Sequence, residues 1–194
     1  MVTALREFLA EMTQLVSAPP QTEDIFINQA ASALARLVSL DDWLPEPFAA
    51  ADPGQYRQYL LFCDPLARFA VVSFVWGPGQ ATPVHDHTVW GLVGVLRGRE
   101  GSQRFVWNAE TATLTAGETT YLEPGSIEML LPSQGDLHRV WNALDNEPSI
   151  SIHVYGGDIG AIRRHVYVPG EARPRDFVSG YSNTLLPNCF GPAS

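Results

Sequence analysis

The chain has 194 residues, a net charge of −9 and only 12 Lys and Arg, which excludes proteins that grip a phosphate backbone with clustered cations. Its one adjacent basic pair is Arg163-Arg164, and Arg173/Arg175 stand two apart without forming a run, so no nucleic-acid partner is expected. The content of 45% hydrophobic and 17% charged residues is a globular balance, and the length suits one domain with its own core.

Residues 3–17 place Leu5, Phe8, Leu9, Met12, Leu15 and Val16 at helical spacing. Arg6, Glu7 and Glu11 interrupt the apolar run, which argues against a secretory signal. No window of about 18 apolar residues offers a membrane span. Pro19-Pro20 stops this helix. Thr22, followed by Glu23 and Asp24, reads as the N-cap and acidic first turn of a second helix. That helix should run to about Leu40 with Ile25, Ala30, Leu34, Leu37 and Val38 on its buried face, and Asp41-Asp42 with Pro45 and Pro47 should end it. From Gln55 to about Val168 the text changes to short apolar runs, at 59–63, 69–76, 92–96, 103–107 and 150–155. Turns containing Gly79, Gly125 and Gly135 separate them, a spacing that predicts an all-β sandwich or barrel. From Arg173 the Pro- and Gly-containing tail reads as irregular structure packed on the domain. The expected layout is a single domain over 1–194, with a helical cover at 1–50, a barrel at 55–168 and a tail at 169–194. Cys63 and Cys189 form no C-x-x-C and no disulfide framework. Two free thiols in a reducing compartment, the cytoplasm, are expected.

Five histidines stand at 85, 87, 138, 153 and 165. His85 and His87 form His-x-His, and alternate residues of a strand share a face, so both imidazoles can reach one metal. The segment Ser149–Tyr155 alternates strictly, with Ile150, Ile152 and Val154 on one face and Ser149, Ser151, His153 and Tyr155 on the other. A sheet with its polar face in water satisfies this pattern. A barrel satisfies it with the polar row lining the cavity, where Ser151 would orient His153 and His153 would position Tyr155. Ser151 is no protease nucleophile, since no nucleophile elbow flanks it. Arg163 and Arg164 point to different faces, so one of them can turn inward to meet a carboxylate; by the local sequence alone a solvated surface pair is the commoner reading.

Gly79, His85, His87 and Gly98 resemble the first cupin motif at its spacing, with Gly91 where that motif has Glu. Gly125, Pro132, Gly135, His138 and Asn142 resemble the second, with the two gaps around Pro132 each longer by one residue. The resemblance implies a mainly β fold, a cupin double-stranded β-helix or jelly-roll barrel, with the N-terminal α-helices packed on it. It also implies a metal on His85, His87 and His138. Without the Glu, three neutral imidazoles leave the ion its full charge and one open face, which suits an anion that coordinates directly. Imidazole also suits Zn, Cu and Ni, so the ligand set alone does not choose the metal.

Pro83–Gly91, Gly94–Gly98, Ser151–Gly156 and Ser179–Asn183 together resemble the bacterial thiol dioxygenases of the cysteine dioxygenase family, in the 3-mercaptopropionate dioxygenase branch. The likeness runs from about Asp41 to Asn188. It implies one Fe(II) per chain on His85, His87 and His138, with O2 as co-substrate. It further implies a catalytic row of Tyr155, His153 and Ser151, a substrate carboxylate on Arg164, and Gln58 in the pocket. The expected reaction adds both atoms of O2 to the sulfur of a small carboxylated thiol and gives a sulfinate. Mammalian members carry a Cys crosslinked to the tyrosine where Gly91 stands, so no crosslink is expected. They also carry an Arg near Gln58, and that swap favours 3-mercaptopropionate over cysteine. Thr88 and Val89 are expected at the pocket mouth. Other readings are a dioxygenase for cysteine, cysteamine or mercaptosuccinate, a different cupin metalloenzyme, and a non-catalytic cupin binder. The sequence does not fix an oligomeric state.

Overall fold

The computed structural model describes residues 3–189; the expected span of 1–194 extends past them at both ends. Two helices come first, α1 (Thr3–Ser17) and α2 (Glu23–Val38). The Thr22 side chain caps α2 by accepting the Ile25 N–H at 3.4 Å, and Glu23 and Asp24 occupy its first turn, where the helix dipole favours acids. The buried face is Ile27, Ala30, Ala31, Leu34, Leu37 and Val38, whereas Ile25 is 52% exposed. The expectation for Ile25 is corrected. Nine residues before Leu34 is about two and a half turns, the opposite side of the helix, and Ile27 takes its place. Among the described residues no helix is long and apolar enough to cross a membrane.

Among the described residues eleven strands follow: β1 (Arg57–Cys63), β2 (Ala70–Trp76), β3 (Val84–His85), β4 (Gly91–Arg97), β5 (Glu100–Asn108), β6 (Thr113–Leu122), β7 (Ile127–Leu130), β8 (His138–Asn142), β9 (Ser149–Tyr155), β10 (Arg164–Tyr167) and β11 (Arg175–Phe177). They form two antiparallel sheets, in the orders β1-β2-β9-β4-β7 and β11-β10-β3-β8-β5-β6. Strands distant in sequence lie side by side, as the double-stranded β-helix requires. The helices cover the outer face of the five-stranded sheet, where Ile150, Ile152 and Val154 join Leu5, Leu34 and Val38 in one core. The inner face of that sheet looks into the barrel. Both faces of β2 and β9 are therefore buried along their whole length, which is why β2 reads as an unbroken apolar run.

Two strands escape the apolar-run reading. β6 is an edge strand, exposed at most positions and rich in Thr. β11 pairs with β10, with Arg164 opposite Phe177, so the tail expected to be irregular supplies an edge strand. Three residues are too few for alternation to show. At the β4–β5 turn Gly98 has φ +77°, and a Cβ there would lie 2.9 Å from the Ser149 backbone, so a side chain is excluded both by conformation and by space.

Candidate functional site

The six-stranded sheet carries three histidines to one point. β3 ends at His85, which lies directly across from His138 of β8. His87 lies beyond the end of β3, so its alignment with His85 does not come from a regular strand as expected. Asp136 supplies it instead: its Oδ2 accepts the His87 backbone N–H at 2.7 Å and approaches His87 Nδ1 at 3.2 Å. The three ring centroids stand 4.8, 4.9 and 4.9 Å apart, and their ligand atoms all lie within 4.8 Å of one another.

An outer partner faces each Nδ1. The Pro83 carbonyl is 3.1 Å from His85 Nδ1. The Ser102 hydroxyl is 3.4 Å from His138 Nδ1 and in turn donates to Glu128 Oε1 at 2.9 Å. Such partners fix the Nδ1–H tautomer and aim the Nε2 lone pair at a metal. His87 Nε2 is accordingly buried with no partner. Burial is the first cause that lowers all three pKa values, with His85 at about 4 and His87 and His138 well below their ordinary value. The imidazoles are thus neutral, the form that ligates, and the donor set fits a divalent ion.

The facing sheet contributes the polar row of β9. Ser151 Oγ is 2.8 Å from His153 Nε2, and His153 Nδ1 is 2.7 Å from the Tyr155 hydroxyl. Phe74 stacks on the His153 ring at 4.1 Å, and Tyr155 stacks on His87 at 5.5 Å. Trp76 Nε1 donates to Ser151 Oγ at 3.3 Å. Burial lowers the His153 pKa to about 3 and raises that of Tyr155, so the imidazole is neutral and the phenol protonated. A Cβ at residue 91 would lie 3.1 Å from the Tyr155 ring; Gly91 leaves that edge of the ring free.

Between the sheets lies a cavity of about 180 Å³ bounded by His85, His138, His153, Tyr155, Gln58 and Arg164, with Tyr56, Phe74, Trp76 and Phe177 as aromatic walls. Arg164 is 4% exposed. One amino group donates to Ser179 Oγ at 2.7 Å, and its guanidinium carbon sits 4.6 Å from the centre of the Phe177 ring. Its Nε–H is buried without a partner. Arg163 points away and pairs with Asp176 at 3.3 Å near solvent. The Gln58 amide N–H donates to the Gly180 carbonyl at 2.8 Å. Thr88 and Val89 are not among the lining residues; Thr88 is exposed with a φ of 60°, and Val89 packs against the cluster that holds Phe74 and Tyr155. Buried Asp86 accepts from His165 N–H at 2.9 Å and from the Tyr167 hydroxyl at 3.0 Å. This ties β10, and with it Arg164, to the histidine loop. Asp136, Glu128, Ser102 and Phe177 were not anticipated from sequence. Only Asp136 carried a local signal, its place two residues before His138.

The pattern of the cysteine dioxygenase type I family matches residues 14–167 of this chain. A cysteine dioxygenase type 1 from Danio rerio is 28% identical over 154 residues, 77% of this chain and 74% of that protein. The Homo sapiens protein of the same name is 28% identical over 90 residues, 45% of this chain and 44% of that protein. Among solved structures, an uncharacterised Klebsiella pneumoniae protein with a double-stranded β-helix domain superposes with a TM-score of 0.46 at 20% identity, covering 68% of this chain and 91% of that one.

Proposed function

The chain belongs to the cysteine dioxygenase type I family, and from that premise we propose that it is an Fe(II)-dependent thiol dioxygenase whose substrate is 3-mercaptopropionate. The reaction places both atoms of O2 on the substrate sulfur and gives a sulfinate. The observation that carries the substrate is the charge inventory of the cavity. Among the described residues that line it, Arg164 is the one permanent cation and there is no carboxylate. A thiol with one carboxylate and no amine leaves every charge paired. The ammonium of cysteine would find no acid beside it, cysteamine would leave Arg164 unpaired, and mercaptosuccinate would bring a second carboxylate with no cation. Burying an unpaired charge is costly, so the first of these thiols is favoured. The family name supports cysteine as the second reading.

His85, His87 and His138 would hold Fe(II), which would activate O2 toward the sulfur and favour the thiolate by its charge, while the sulfur itself supplies the electrons that reduce O2. The protein supplies the placement. The free Nε–H of Arg164 and its neighbouring amino group form a fork for a carboxylate, with Ser179 and Phe177 fixing its plane. Tyr155 holds a proton at its hydroxyl above the histidine cluster, and His153 and Ser151 hold the phenol in place. The aromatic walls limit the water around the reacting atoms. Oxygen uptake by the Fe(II)-loaded protein with 3-mercaptopropionate, cysteine, cysteamine and mercaptosuccinate tests the proposal. The highest kcat/KM is expected with 3-mercaptopropionate. A higher value with cysteine would replace the substrate, and no thiol-dependent uptake would end the reading.

A further inference from the structure

Glu100 opens β5 and is 0% exposed. Neither carboxyl oxygen has a hydrogen-bond partner of good geometry, and the Ser149 hydroxyl is likewise unpaired. The hydroxyls that act on the carboxyl are those of Ser151 and Ser149 on β9. Ser151 is the far end of the row that leads to Tyr155. The charged group acting on Glu100 is Glu128 of β7, of like sign. Arg99 beside it is engaged elsewhere, by Glu123 at 2.8 Å. Trp76 of β2, which donates to Ser151, and the strand neighbours of Glu100, Asn142 of β8 and Leu122 of β6, carry no charge.

The hydrogen-bond capacity of Ser151 connects these groups. Its oxygen has two lone pairs and one proton. Trp76 Nε1–H takes one lone pair. One lone pair and one proton remain, to be divided between Glu100 and His153. Whichever of the two receives the proton, the other must donate.

We propose that Glu100 is the positioning residue that sets the tautomer of His153 through Ser151, and so decides where Tyr155 directs its hydroxyl proton. With Glu100 ionised, Ser151 donates to it, His153 Nε2–H donates to Ser151, and Tyr155 must spend its proton on His153 Nδ1. With Glu100 protonated, it donates to Ser151, Ser151 donates to Nε2, and His153 Nδ1–H donates to the phenol oxygen. The Tyr155 proton is then free to point into the cavity. The two states differ by one proton. Because the carboxyl has no exposure, that proton can travel along the row. Tyr155 takes one from the cavity and passes its own to Nδ1; Nε2–H passes to Ser151, and the Ser151 proton passes to Glu100. Burial raises the Glu100 pKa from 4.5 to about 8, so the donating state of Tyr155 is the one present at neutral pH.

The role in turnover rests on the dioxygenase reading; the tautomer does not, and the two are measured separately. The 15N resonances of His153, assigned by their loss in His153→Gln, report which ring nitrogen carries the proton in the full chain loaded with diamagnetic Zn(II). The wild type should change from Nδ1–H to Nε2–H as the pH rises through about 8. Glu100→Gln, which cannot ionise, should keep one tautomer throughout, and Ser151→Ala, which breaks the link, should also abolish the switch. A wild-type ring with one tautomer from about pH 6 to about pH 10, or a switch that persists in either variant, would overturn the proposal. In oxygen uptake by the Fe(II) form, the alkaline fall of kcat should move or vanish in Glu100→Gln, and an alkaline limb identical to the wild type counts against the role in turnover. Absence of any thiol-dependent uptake would sink the dioxygenase reading and leave the tautomer result standing by itself.

Discussion

Arg164 shows how one side chain acquires a task from its surroundings. Arg163 and Arg164 are chemically alike, yet one is paired near solvent and the other is 4% exposed with an Nε–H that has no acceptor. A buried donor without a partner is unfavourable, and a substrate carboxylate would satisfy it. Arg164→Ala should therefore raise KM for 3-mercaptopropionate by about 10²-fold, the scale of a lost charge-assisted pair, with a smaller change in kcat. Steady-state oxygen uptake measures both, and an unchanged KM would remove the clamp. The sequence supplied the pair and the rule that neighbours face opposite ways. It did not say which one turned inward, because that depends on β10 lying between β3 and β11.

At the scale of elements, the site is a meeting of two sheets. β3 and β8 bring His85 against His138, and β9 brings the Ser151–His153–Tyr155 row across from them. The row was legible because its period of two lies within one strand. The geometry of His87 was not, since β3 has already ended and a carboxylate from the loop before β8 holds it. That loop should matter to the metal. Asp136→Ala removes the partner of both the His87 N–H and Nδ1, and it should weaken metal binding by about 10- to 100-fold, as loss of an outer ligand partner does. Competition with a chelator measures the affinity, and an affinity equal to the wild type would show that the ring is held by packing alone. β6 and β11 were missed for a related reason: an exposed Thr-rich edge and a three-residue strand have little apolar pattern to read.

Over the whole molecule, ionisable groups buried between the sheets make stability depend on pH from both sides. His85 and His153 are lowered from 6.5 to about 4 and about 3 by burial, and His87 and His138 are lowered too. Below pH 6.5 the unfolded chain binds protons that the folded metal-free protein refuses, so stability falls as pH drops from there toward about 4. Glu100 has the opposite sign. Its folded pKa is raised from 4.5 to about 8, so the stability it contributes is complete below 4.5 and is lost as pH rises through about 8. The thermal midpoint of the metal-free protein should peak near pH 6.5 and fall on the acid side, where four histidines act against the two carboxyls of raised pKa, Glu100 and Glu128. Circular dichroism melts across the range test this, and a midpoint flat between pH 6.5 and about 4 would contradict it. What the sequence determined by itself was local and periodic. Helical spacing set α1 and α2, alternation set the two faces of β9, and the spacing of glycines and histidines marked a barrel with a three-histidine cluster. What only the tertiary structure decided was who stands opposite whom: Asp136 behind His87, Ser179 and Phe177 around Arg164, and Glu100 at the end of the β9 row. The reason is physical. Backbone periodicity is written residue by residue, whereas a buried polar group takes its meaning from partners that strand order brings in from distant parts of the chain.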